Sequence, residues 1–232
     1  MYHYTESQVE GSAAEAALVE RFEAHIRDKA FPCVGAKSAL SRGQIQTFVA
    51  GDIRCPRDDA AIHDALCDFV RGYRAHPGPF QSFAVLFPSA GQLSEEAFER
   101  ALWQRVEGLR RQDSAKGCAY DDRVSADIDD ARFSLSYGGE AFFVVGLHPA
   151  ASRPARRFEV PVLVFNAHDQ FERLRADGRY ETLRTAIVAR DVALAGSPNP
   201  MLARHGELSE ARQYSGRDVS GDWTCPVSWP AS

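Results

Sequence analysis

The order in which the hydrophobic period changes along this 232-residue chain is what most constrains its fold. Residues 13–29, AAEAALVERFEAHIRDK, put Ala17, Leu18, Phe22 and Ile26 at helical spacing, and Pro32 stops that helix. GQIQTFVAG then alternates like a strand. RDDAAIHDALCDFVRGYRAH returns to a helical period through Ile62, Leu66, Phe69, Val70 and Tyr73. QSFAVLFP reads as a short buried strand. SEEAFERALWQRVEGLRRQDSA reads as a helix with Ser94 as its N-cap, acids in its first turn, and Phe98, Leu102, Val106 and Leu109 on one face. RFSLSYGGEAFFVVGL reads as a strand pair turning at Gly138–Gly139, with the second strand ending at Gly146. VPVLVFN is one more strand, and DQFERLRADGRYETLRTAIVARDVAL supplies one or two helices.

This succession predicts a single α+β domain over residues 1–232. Its sheet is mixed and mostly antiparallel, with about four to six strands, flanking helices and a long irregular C-terminal segment from 195 onward. A doubly wound parallel sheet is disfavoured, because no Gly-rich phosphate loop follows any strand.

Charge and cysteine usage narrow the function. A net charge of −5 argues against nucleic acid as a partner. No apolar run approaches the roughly 18 residues of a membrane helix, and the polar, acidic start does not read as a secretory signal. The expected compartment is therefore the reducing cytoplasm. The five cysteines at 33, 55, 67, 118 and 225 include no CxxC, so neither a zinc knuckle nor a disulfide framework is expected. Cys55 reads as part of a surface turn, Cys67 as core and Cys118 as part of a polar loop.

Four stretches carry candidate chemistry. In FPCVGAKSAL, Cys33 precedes a glycine and a helix-like run. Amide hydrogens at a helix start can stabilise a thiolate, and Gly35 lets backbone approach a flat macrocycle. The same cysteine also reads as a small buried residue behind a helix break. In FFVVGLHPAASRPARR, Arg153, Arg156 and Arg157 make the best anion site of an acidic chain, suited to haem propionates, a substrate carboxylate or a nucleotide, although the same residues also read as a solvated basic turn. His148 there is an axial ligand, a proton donor or a satisfied loop histidine. In FNAHDQFERLR, Asn166 and His168 stand where a strand passes to a helix, a common site position, although Asn166 or Asp169 would equally serve as an N-cap. The C-terminal segment is aromatic enough to be ordered, either as a cover over a cofactor or as a surface wrap that only packs. It offers Tyr214, Trp223, the rival thiolate Cys225, and Glu210 toward a polar substrate.

FPCVGAKSAL, VVGLHPAASRPARRF, LVFNAHDQFERLR, IVARDVALAGSPNPML, SEARQYSGR and DWTCP, in this order, resemble the YqcI/YcgG family over residues 31–226. Ala151 stands where a serine is expected and Ala167 where a proline is. Family members with assigned activities are haem-dependent N-hydroxylases of guanidino amino acids, so the resemblance implies bound haem b and O2 as co-substrate. On that footing Cys33 is the first choice of iron ligand, Cys225 the second and His148 the third. Gly35, Arg153, Arg156, Arg157, Asn166, Tyr214 and Trp223 are the remaining cofactor contacts. His148 or His168 is the proton donor, and Glu210 or Asp191 holds a cationic substrate.

The expected function is therefore N-hydroxylation of a guanidino or amino compound. Electrons come from an external donor, and neither membrane nor nucleic acid is involved; a homodimer would add a second copy of the chain. Two alternatives stand beside it. One is a haem carrier or sensor without turnover. The other is a haem-free enzyme with Cys33 as nucleophile and an anionic metabolite at the Arg153–Arg157 loop.

Overall fold

In a computed structural model of the chain, which describes residues 6–201 and 206–229, five strands form one sheet in the order β1–β2–β5–β4–β3. The strands are β1 (Ile45–Val49), β2 (Ser82–Leu86), β3 (Leu135–Tyr137), β4 (Glu140–Leu147) and β5 (Val162–Ala167). β1 runs parallel to β2; β2–β5, β5–β4 and β4–β3 are antiparallel. The expected single α+β domain with a mixed, mostly antiparallel sheet is what the chain adopts. β1 and β2 are parallel because helix α3 (Asp59–Ala75) connects them, whereas β3 and β4 are parted only by the Gly138–Gly139 turn, both glycines at positive φ.

Helices cover both faces. α3 and α4 (Glu95–Ala115) bury Ile62, Leu66, Phe69, Phe98, Leu102 and Val106 against Phe83, Val85, Phe142, Val144, Leu163 and Phe165. Ser94 caps α4, its hydroxyl accepting from the Ala97 amide at 3.2 Å. On the other face α1 (Glu6–Arg27) packs Leu18, Phe22 and Ile26 over Ala84, Leu86, Leu147 and Val162. The period of two divides each strand between these layers. In β4, Phe142 and Val144 face α3 and α4, while Val145 and Leu147 face the α1 side.

β4 does not end at Gly146 but passes through it. A Cβ there would stand 2.8 Å from Phe98 and 2.9 Å from Leu102, so only glycine lets α4 lie this close to the strand. α2 (Val34–Ser41), α5 (His168–Ala176) and α6 (Tyr180–Ala195) complete the α1 side. Among its described residues after α6, the C-terminal segment has one short 3₁₀ turn, Glu210–Gln213, and otherwise wraps irregularly.

Candidate functional site

Between the α1 face of the sheet and helices α2, α5 and α6 lies a cavity of about 330 Å3, within the size range of small-molecule sites. Its floor comes from alternate sheet residues: Ile45, Ser82, Val164, Asn166, Phe143 and Val145. Its α6 wall is apolar, with Leu183, Ile187 and Val188 only half-buried because they face open space rather than a packed layer.

Cys33 lines the cavity as the N-cap of α2, and its Sγ accepts from the Ala36 amide at 3.4 Å. Burial pushes its thiol above the ordinary range. The amides of Ala36 and Gly35 and the charges of Arg156 and Lys37 pull the other way. Gly35 is needed for close approach: a Cβ would meet the Phe80 ring at 3.3 Å. Phe80 itself lines the cavity with φ of +68°, a left-handed conformation that costs a bulky residue energy.

The three arginines do not act as one cluster. Arg153 reaches the cavity but is paired with Asp191 of α6 through Nε at 3.0 and 3.2 Å, and donates to the Ser197 carbonyl at 2.9 Å. Arg156 also lines the cavity. Its guanidinium donates to the carbonyls of Gly146 (3.1 Å), Gln213 (3.2 Å) and Tyr214 (3.4 Å), with no carboxylate in ion-pair range among the described residues. Burial brings its pKa down to about 10, and the nearby charge of Asp191 opposes this. Arg157 turns outward, donating to the carbonyls of Ala151 and Ser152, and does not line the cavity.

Asn166 caps no helix. Residue 167 holds the N-cap position of α5 without a side-chain bond, while Asn166 accepts from Ser82 Oγ at 2.8 Å and donates to the Phe143 carbonyl at 3.2 Å across the sheet. His168 opens α5 inside the cavity wall, its Nε2 3.7 Å from Oε1 of the buried Glu210. Glu210 Oε2 accepts from Ser134 Oγ at 2.5 Å. The cavity thus joins Cys33, Gly35, Arg153, Arg156, Asn166, His168, Asp191 and Glu210, which lie far apart in sequence.

The remaining candidates lie elsewhere. His148 is buried beneath α4, stacked on Phe98 at 4.3 Å. Tyr214 is in the α4-side core against Trp103 and Phe133. Trp223 donates to Glu99 of α4 at 3.1 Å. The same buried carboxylate holds Ser215 and Arg217, which fastens the tail from residue 215 onward over α4, while Asn199, Glu210 and Gln213 of its earlier part line the cavity. Cys225 packs on that face too, its thiol pushed up to about 11 chiefly by burial.

Among the cavity residues that escaped sequence reasoning, two stand out for their polar atoms. His25 of α1 lines the cavity between Phe31 and Phe158, and its Nε2 is enclosed without a hydrogen-bond partner among the described residues. Gln170 donates to the Gln81 carbonyl at 3.2 Å, and its Oε1 is left in the same state. Gln170 lies inside the FNAHDQFERLR stretch but as one polar residue among several, and His25 belongs to no motif; the period of an amphipathic helix marks neither.

No helix among the described residues is long and apolar enough to cross a membrane. No curated protein and no solved structure matches the chain. A family model does match, that of the YqcI/YcgG family, over residues 22–228. With nearly its whole length covered, the chain belongs to the YqcI/YcgG family.

Proposed function

We propose that this protein is a haem-dependent monooxygenase that N-hydroxylates a guanidino or amino compound in the cavity between the sheet and α2, α5 and α6. The observation that carries the reading is the meeting, in one largely apolar cavity, of a helix-capping thiol, a guanidinium without a carboxylate partner and a buried His–Glu pair.

The residues present suit haem. A thiol at a helix N-terminus can ionise onto iron, aided by the amides of Ala36 and Gly35. Arg156 offers positive charge to a propionate, and the apolar α6 wall suits the porphyrin face. Bound haem would supply oxygen activation and transfer of one oxygen atom to nitrogen. The chain's own residues do the rest. Glu210, buried in the cavity lining, is the acidic residue that would meet a cationic substrate; the other candidate, Asp191, pairs with Arg153. His168, beside Glu210, is placed to hold or pass a proton at Nε2. The largely apolar lining would limit water at the reacting nitrogen once the cavity is filled.

One observation favours a second reading of the ligand. His25 Nε2 in the cavity lining has no hydrogen-bond partner among the described residues, and burial lowers its pKa, which favours the neutral, coordinating form.

Absorption spectroscopy tests both readings. The expected result is a Soret band in the fresh protein and a ferrous–CO band at the thiolate position that Cys33→Ala abolishes. An imidazole-type CO spectrum lost in His25→Ala assigns the iron to His25. A protein that neither carries nor takes up haem overturns the proposal. Oxygen consumption with arginine and a reductant separates an oxygenase from a carrier.

A further inference from the structure

On the far side of the sheet, α3 and α4 bring together groups that the cavity does not use. His63, fully buried, places Nε2 2.8 Å from Asp113 Oδ1. Cys67, one helical turn on from His63, holds its sulfur 3.7 Å from the same nitrogen. One donor atom from each of the three lies within 4.8 Å of the others. Cys118, just past the end of α4, is the nearby candidate for a fourth: its amide donates to the Asp113 carbonyl at 3.1 Å, which holds the residue beside the cluster, although its sulfur lies outside the 4.8 Å group of the other three.

We propose that His63, Cys67, Asp113 and Cys118 form a binding site for a thiophilic divalent cation, with zinc the best fit. A buried His–Asp pair can tie two helices together by itself, but that role uses two of the four groups and leaves the two thiols unexplained. Four donors of N, O and S type, delivered as two local pairs from separate segments, are the pattern of tetrahedral zinc sites. His63 and Cys67 are four residues apart on one helix face; Asp113 and Cys118 are five apart around a helix end. Outer-shell support is in place too: the Gly138 amide donates to Asp113 Oδ1 at 2.7 Å, fixing the carboxylate from the β3–β4 turn. Thiolate is the metal-binding form of cysteine, so binding releases two thiol protons in exchange for one cation, with no change of oxidation state.

Reduced full-length protein titrated with Co2+ tests this. One equivalent should bind with a sulfur-to-cobalt charge-transfer band that zinc then bleaches. Cys67→Ser and Cys118→Ser should each diminish the band and weaken binding by at least the roughly 10- to 100-fold typical of lost outer-shell partners. Cys33→Ser should leave it intact, which separates this site from the cavity. Cys118 sits at a loop and is only half-buried, so Cys118→Ser keeps the fold if Cys67→Ser does not. Absence of a charge-transfer band in reduced wild-type protein, or an undiminished band in Cys118→Ser, overturns the site.

Discussion

Arg153 and Asp191 are each other's partner: the Arg153 Nε lies 3.0 Å from one Asp191 oxygen and 3.2 Å from the other, with both side chains nearly enclosed. Each was a sequence candidate for a ligand, one for an anion and the other for a cation. Their union instead clamps α6 to the turn at residues 154–156 and so fixes one wall of the cavity. Asp191→Asn should cost about 3 kcal/mol, the lower end for a broken buried pair, because Arg153 keeps the Ser197 carbonyl. Combining it with Arg153→Met should recover most of that loss. Denaturant melts of the two single variants and the double variant measure it; additive losses would show that the pair is not coupled.

Arg156 joins three carbonyls from two distant parts of the chain, Gly146 in β4 and Gln213 and Tyr214 in the tail. Arg156→Met removes the charged donor they share, although the Gln213 and Tyr214 carbonyls keep the amides of Gly216 (3.2 Å) and Gly146 (2.7 Å), and should destabilise by about 1.5–3 kcal/mol, the range for hydrogen bonds to a charged group. The loss should be local first, so limited proteolysis should cut the 206–229 segment earlier in this variant than in wild type. Arg156→Lys keeps the charge but lacks the fork that reaches several acceptors, and should recover only part of the stability. If Arg156→Lys is as stable as wild type, the carbonyl fan is not what holds the tail.

The element order was legible because each strand and helix carries its own hydrophobic period: Phe83, Val85, Leu163 and Phe165 read as buried strand and are buried strand. The cavity was legible only through motifs, at Cys33, Arg156 and His168. What stayed hidden depends on pairing between distant segments. That Glu99 would draw Trp223 and Arg217 over α4 cannot be read from the tail itself. That His148 would slide under Phe98 while its neighbour Arg156 turned to the other face follows from the path of β4, not from the basic composition of the loop. α6 reads as weakly amphipathic because its inner face, Leu183, Ile187 and Val188, meets a cavity rather than a core.

Two glycines separate stability from site geometry. Gly146→Ala forces a Cβ against Phe98 and Leu102 at under 3 Å and should cost about 1–3 kcal/mol by overpacking. Gly35→Ala meets the Phe80 ring at 3.3 Å, a contact that a small ring movement relieves, so its stability cost should stay below about 1 kcal/mol. Because Phe80 and Cys33 both line the cavity, Gly35→Ala should instead weaken occupancy of the site. Thermal melts and haem titration of both variants check this; the reverse ordering would mean that Gly35 serves packing alone.

His148 gives the fold a sensitivity to acid whose sign is fixed by its surroundings. Burial under α4 lowers its pKa below the ordinary 6.5, with the charge of Glu95 opposing, and its Nδ1 has no partner among the described residues to welcome a proton. The unfolded chain therefore takes up a proton before the folded one does. The stability this neutral ring contributes is fully present above about pH 6.5 and is lost as pH falls through the depressed folded value. Asp59 works in the opposite sense: burial raises it to about 6 against the pull of Arg105, so its contribution fades as pH rises through that value. The two partly cancel in wild type, and a single pH profile will not resolve them. The difference between wild type and His148→Phe will, because phenylalanine keeps the stacking on Phe98 and removes only the titration. The gap between the two profiles should be constant above pH 6.5 and should shift in favour of the variant at lower pH. A gap that stays flat down to pH 4.5 would show that His148 is not held neutral by the fold.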